Sequence, residues 1–160
     1  FAVAASSTAS HDVTLQINEI VLIDLNNTAA ITLTTNAPAA GGDNPLGDTD
    51  ATKLLQYTSL VATGLTRKIT VAWGGTDAAP TGTSLKLVAS SVPAGCGTAG
   101  PQVTINNVAQ DLVTGIGSCA TGTGTNGAAL TYTFSIDDVT QLVVGDNKTV
   151  TITFTLTDAA

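Results

Sequence analysis

Charge is what this sequence has least of. Only 11% of its 160 residues are Asp, Glu, Lys or Arg, against about 25% in an ordinary soluble domain, so solubility must come largely from hydroxyls. The five basic residues, Lys53, Arg67, Lys68, Lys86 and Lys148, are scattered apart from one adjacent pair, and the net charge is -7. A nucleic-acid footprint needs clustered Lys and Arg to displace counterions from phosphates, so that class of partner is excluded. His11 is the only histidine, and any imidazole acid-base pair would have to be assembled in the N-terminal arm; a surface or linker histidine meets far fewer geometric demands. No Gly-x-Ser-x-Gly elbow, phosphate-cradling Gly-x-x-x-x-Gly-Lys loop or His-Glu-x-x-His pair occurs. The Gly-rich stretch 121–127 carries no lysine and leads into a strand pattern, which removes the physical reason for phosphate binding. The expectation is a protein that is not an enzyme.

Two further absences bear on where the protein works. No apolar run approaches the ~18 residues needed to cross a bilayer as a helix, so the chain is not expected to be transmembrane. Methionine is missing altogether, so Phe1 is not expected to be a translation start, and the numbering is expected to begin after processing or within a fragment. Phe1-Ala2-Val3-Ala4-Ala5 also matches the small-residue end of a secretory signal, in which case the tip is a remnant of cleavage. Both readings point to export.

What is present is hydrophobicity of 43% with abundant threonine, alanine and glycine. That composition is hazardous for a free monomer, because charged edges are how sheets avoid one another. In an assembled filament it is an asset. The length fits one core, since single domains are commonly built from roughly 100 to 200 residues.

The pattern has a period of two almost everywhere, the signature of strands. In Thr149-Val150-Thr151-Ile152-Thr153-Phe154-Thr155-Leu156-Thr157 the apolar residues face a core and the threonines face outward, as in a half-exposed antiparallel strand. Leu130-Thr-Tyr132-Thr-Phe134-Ser-Ile136 repeats it, and Ile69-Thr-Val71-Ala-Trp73 and Leu85-Lys-Leu87-Val-Ala89 give two more. Shorter candidates lie at 30–35, 54–61, 103–106 and 109–114. Turn clusters separate them, among them Gly41-Gly42-Asp43-Asn44-Pro45 and Gly145-Asp146-Asn147. Residues 137–142 are expected to make one helical turn, since carboxylates favour a helix N-terminus. Short strands at this spacing predict an all-β fold, an immunoglobulin-like antiparallel β-sandwich, occupying 18–160 behind an extended N-terminal arm at 1–17.

The run 13–25 is unusual. Val13, Leu15, Ile17, Val21, Ile23 and Leu25 share odd parity, Glu19 interrupts them, and Ile20 and Leu22 make the second half apolar on both faces. It exceeds the usual strand length of about 5–6 residues, which predicts a bend or a change of sheet at Asn18-Glu19. The half 20–25 has the composition of a central strand.

Other candidate sites are fewer. Cys96 and Cys119 lie in Gly-rich contexts; in an exported protein a lone pair reads as a disulfide, with buried free thiols as the alternative. Two thiolates and one histidine do not complete a four-ligand zinc site. Closing that loop stabilises the fold by about 3 kcal/mol in the chain-entropy model. The oxygen-rich loop Asp43-Asn44-Pro45-Leu46-Gly47-Asp48-Thr49-Asp50 offers Asp43, Asn44, Asp48 and Asp50 to calcium, which takes roughly six to eight oxygens; the alternative is a solvated acidic turn. Otherwise no cofactor is expected. Asn26-Asn27-Thr28 and Asn147-Lys148-Thr149 match the N-glycosylation sequon at predicted turns, making Asn26 and Asn147 candidate acceptors, although a Thr-rich chain produces such matches by chance. Trp73 and Tyr57 could form a sugar-stacking platform, but Trp73 continues the parity of Ile69 and Val71 and is expected in the core.

The arm carries the functional expectation. Strand addition between subunits requires an extended segment whose backbone supplies pairing while alternate side chains fill pockets. Phe1, Val3 and Ala5 form one such set, and Val13, Leu15 and Ile17 a second. In this respect the chain resembles donor-strand pilins, secreted sandwich subunits that polymerise by lending an N-terminal strand to the next copy. The resemblance implies a homo-oligomer in the form of a helical filament, with 150–156 framing or lying beside the acceptor groove. Three segments, His11-Asp-Val-Thr-Leu-Gln-Ile-Asn-Glu-Ile-Val-Leu-Ile-Asp-Leu, Thr66-Arg-Lys-Ile-Thr and Gly115-Ile-Gly-Ser-Cys-Ala-Thr-Gly, are similar to parts of uncharacterised exported proteins of Bacteroidota-type bacteria. That similarity implies an exported, disulfide-linked β domain. The expectation is a structural subunit of an extracellular filament or pilus; the competing class is a monomeric cell-surface adhesin or carbohydrate-binding sandwich that uses the loop 43–50.

Overall fold

Alternating apolar and hydroxyl side chains become two stacked sheets in the computed structural model, which describes residues 1–159. The strands, in chain order, are β1 (Ile20–Leu25), β2 (Asp48–Leu60), β3 (Arg67–Trp73), β4 (Thr83–Ser90), β5 (Thr98–Ala99), β6 (Val103–Thr104), β7 (Gln110–Ile116), β8 (Cys119–Ala120), β9 (Ala128–Ile136) and β10 (Ile152–Asp158). One sheet has the order β1-β2-β9-β4-β6, with β8 also pairing β2, and the other has the order β10-β3-β7-β5. Every pairing is antiparallel. The fold is therefore all-β and sandwich-like, as the periodicity predicts. In immunoglobulin domains the strands in chain order form ABED and CFG sheets; here the seven long strands, lettered the same way, form ABFD and GCE.

The core follows the period-two rule strand by strand. Lys53, Leu55, Tyr57 and Ser59 alternate inward on β2, Ala128, Leu130 and Tyr132 on β9, and Leu87 and Ala89 on β4; Ile69, Val71, Leu112, Val113 and Ile116 meet them from the opposite sheet. Each buried Leu or Ile contributes roughly 1.5–3 kcal/mol. A bulge between Asp50 and Lys53 re-phases β2, so Asp48 and Asp50 before it and Lys53 and Leu55 after it all turn toward the interior. Ahead of the bulge the chain passes so close to β9 that a Cβ on Gly47 would sit 1.8 Å from the Phe134 carbonyl oxygen. Only glycine fits there.

Several local expectations change. Residues 30–35 form no strand; Ile31 and Leu33 instead rest half-buried against the core. β10 begins at Ile152 rather than at 149. The helical turn at 137–142 contracts to a 3-10 turn at Val139–Gln141, capped by the Asp138 carboxylate. That carboxylate accepts hydrogen bonds from the Thr140 hydroxyl, the Gln141 amide and the Thr140 backbone, which hold its pKa below the ordinary value. Most informative is β1: its central-strand composition lies at a sheet edge, with Val21 46% and Leu22 63% exposed.

Cys96 and Cys119 are joined in a disulfide with a Cα–Cα separation of 5.4 Å. It ties the loop after β4 to β8. The Tyr57 hydroxyl donates to the Cys96 carbonyl oxygen at 2.7 Å, locking the same loop onto β2. Replacing both cysteines with serine should lower the unfolding free energy by about 3 kcal/mol, read as a lower urea midpoint.

Burial pushes the Tyr57 phenol up to about 12, and burial together with the charge of Asp50 does the same for Tyr132. The unfolded chain ionises near the ordinary value of 10.0, so stability is unaffected below that pH. It should fall as pH rises from 10 toward 12, because the unfolded state sheds protons that the fold retains. Urea midpoints measured across that window should show the decline, and Tyr57→Phe should reduce it.

Candidate functional site

The arm is uncovered along its whole length. Residues 1–19 form no strand and are exposed throughout. The apolar set is fully part of that exposure: Val13 is 68%, and Leu15 and Ile17 are each 90%, accessible. Phe1 and Val3 are likewise exposed large hydrophobics, and Ala5 is exposed with them. At ~3.3 Å per residue the extended arm reaches on the order of 60 Å, well beyond the length of any strand in the sandwich.

On the body, β1 and β10 lie against one another along one lateral side, each with only one ladder partner. β10 shows the consequence. Leu156 is buried, whereas Ile152 and Phe154, on the same face, are only half-buried. On β1, which faces β10, Ile23 and Leu25 are half-buried too. The core is thus left partly open along this side, flanked by two unpaired backbone edges. An edge with free N–H and C=O groups over apolar pockets is a template for an added strand.

Arg67 marks where the arm leaves the body. Its guanidinium, 1% exposed, donates from Nη1 to the Ile20 carbonyl at 3.0 Å, the Ser59 hydroxyl at 3.0 Å and the Leu60 carbonyl at 3.2 Å. Nε meets Asp158 Oδ1 at 3.1 Å, and Nη2 pairs with Glu19 Oε1. One side chain on β3 therefore holds the start of β1, the end of β2 and the end of β10. A cleft of about 280 Å³ lies beside this clamp, lined by Ile17, Asn18, Glu19, Leu60, Val61, Ala62, Leu65 and Ser118. Sequence reasoning missed Arg67. Its signal was parity, because it shares the inward phase of Ile69 and Val71.

The other candidates are not gathered into a site. Asp43 and Asn44 are exposed. The Asp48 carboxylate accepts from the Thr34 and Thr49 backbone amides at 3.2 and 2.8 Å, and that of Asp50 from the Thr52 amide and hydroxyl at 3.0 and 2.8 Å. Among the described residues no group of three or more His, Cys, Asp and Glu is placed to hold a metal. Asn26 uses its side chain as a strand mimic: Oδ1 accepts from Leu54 N at 2.8 Å and Nδ2 donates to the Thr52 carbonyl at 3.3 Å. Asn147 is exposed in the loop before β10, and His11 is exposed in the arm. Tyr57 is buried and Trp73 half-buried against the core, so they form no exposed aromatic platform. A shallow hollow of about 430 Å³ runs along Pro45–Thr49 and Thr133–Ile136.

No helix among the described residues is long and apolar enough to cross a membrane. Comparison with protein-family models, with curated proteins and with solved structures finds no match.

Magnitudes separate the parts of the clamp. Glu19 and Asp158 are 66% and 81% exposed, and ion pairs at such exposure contribute about 0–1 kcal/mol each. The acceptors of Nη1, the buried Ser59 hydroxyl and the part-buried Ile20 and Leu60 carbonyls that share its two hydrogens, are worth more, because a hydrogen bond from a charged donor contributes roughly 1.5–3 kcal/mol. Arg67→Met should therefore cost on the order of 3 kcal/mol in urea unfolding, while Glu19→Gln should cost under about 1 kcal/mol. The reverse order would show that the surface ion pair carries the clamp.

Proposed function

We propose that this protein is a structural subunit of an extracellular filament, in which each copy lends its arm, residues 1–17, as a strand to the open side of the next. The observation that carries the reading is a complementary pair within one chain: an unpaired arm with alternating exposed apolar residues, and a sandwich side with two unpaired edges over a half-covered core. In the added strand Val13, Leu15 and Ile17 would lie over Ile152 and Phe154, and the arm's backbone would pair with the edge of β10 or β1.

The arm is poorly set up to fold back on its own body. It contains no Gly or Pro near 18–19 to reverse it and is held at Glu19 by Arg67. A neighbouring copy accepts it without a reversal. Such a head-to-tail contact uses two different surfaces and does not close, so it generates open fibres. The disulfide fits an oxidising extracellular setting. Scarce charge, a liability for a free monomer, suits a chain whose edges are covered on assembly.

The competing reading, a monomeric surface adhesin or carbohydrate-binding module, has only the shallow hollow beside Asp48 and Phe134 to recommend it. Deleting residues 1–17 should leave a folded, soluble monomer by sedimentation and abolish fibres by negative-stain electron microscopy. Leu15→Lys in the full chain should weaken assembly in the same direction. Fibres of undiminished length from the truncated protein would sink the strand-lending mechanism, and glycan binding by a non-polymerising wild type would favour the adhesin.

A further inference from the structure

Lys53 is in an energetically awkward place. It is only 6% exposed, in phase with Leu55 and Tyr57 on the inward face of β2. Among the described residues no carboxylate pairs with it. Its Nζ is instead packed against Asn27 Oδ1 and the Ala29 carbonyl, with the Asn27 carbonyl at 3.3 Å. A buried ammonium without a counter-charge costs several kcal/mol, and three neutral oxygens offset only part of that. The same contacts hold a primary amine against a primary carboxamide.

We propose that Lys53 and Asn27 are joined by an intramolecular amide bond. The lone pair of deprotonated Nζ adds to Asn27 Cγ, the new N–C bond forms, and the Cγ–Nδ2 bond breaks. A proton from Nζ leaves with Nδ2 as ammonia. From a lysine ammonium and an asparagine amide the products are a secondary amide and an ammonium ion, so atoms and charge balance without an oxidant or co-reactant. The bond removes the buried charge. Its remaining N–H faces the Ala29 carbonyl, already in contact with Nζ, and exposed Asn27 gives ammonia a path to water. Holding the two groups together in a fixed site supplies the effective concentration that an amine and an amide lack in solution.

The bond would tie the residue just beyond Asn26, where β1 ends its pairing, to the middle of β2. Tension on the arm enters β1 at Ile20, and with this bond β1 could not peel away from β2 completely. The proposal stands independently of what the arm contacts.

Intact-mass spectrometry of the full chain with its disulfide intact decides the matter. The expected mass is that of the sequence, corrected for the disulfide, less one ammonia. Trypsin should fail to cut after Lys53, leaving peptide 1–67 one ammonia light, and fragmentation of that peptide should give no product separated between Asn27 and Lys53, because the bond closes that stretch into a loop. Lys53→Arg and Asn27→Ala should each recover the full mass of their own sequences. An undiminished wild-type mass overturns the proposal and leaves Lys53 an ammonium held by three oxygens. So does an ammonia loss that maps to a succinimide at any asparagine.

Discussion

A single buried guanidinium joins the parts of this molecule that the chain keeps farthest apart. Arg67 reaches the start of β1, the end of β2 and the end of β10, so it spans both sheets and the root of the arm. With its Nη1 satisfied inside and its carboxylate partners at the surface, it avoids the penalty of an unpaired buried charge. The clamp fixes where the exposed arm meets the sandwich. Among the described residues no side-chain hydrogen bond or ion pair ties the arm before Glu19 to the body.

The second organising constraint is the sandwich's incomplete side. Two stacked sheets bury their facing surfaces well in the middle, where Leu55, Leu87, Leu112 and Leu130 are fully inaccessible, and poorly at the side bounded by β1 and β10. Leaving apolar edges uncovered is the arrangement that soluble sheets ordinarily avoid with charge. This chain has little charge to spend there, and β1 carries none except Asp24 and no lysine at all. Coverage from outside is the physical answer that its composition permits.

Much of the fold was legible because alternation at period two depends on neighbours in sequence alone. The cores of β4 and β9 lie where the pattern placed them, the short candidate at 54–61 extends back to Asp48 as β2, and the pairing of Cys96 with Cys119 followed from their number and setting. What was not legible has a common cause. Residues 30–35 alternate like a strand, yet no neighbour is positioned to pair with them, so Ile31 and Leu33 dock without a ladder. In the loop Asp43 to Asp50 the carboxylates of Asp48 and Asp50 accept from backbone amides at 34, 49 and 52, contacts that residue type alone does not reveal. The Asn26 side chain bonds the backbone of Thr52 and Leu54, a pairing set by a segment 26–28 residues away. In the candidate site the arm was legible from its parity, whereas Arg67 and Lys53 were not, because a basic residue in an inward phase looks the same on paper as one on a solvated face.

The sequence by itself determined the class of fold, the disulfide and the arm's apolar alternation, since each depends on local periodicity or on residue identity. Tertiary structure decided which strands became edges, and so which side of the core stayed open. It also decided which polar side chains were drawn inside, because the bulge between Asp50 and Lys53 and the strand order are set by packing between segments far apart in the chain. The stretch 20–25 shows the division most plainly: its residues ask for neighbours on both sides, and the fold supplies one.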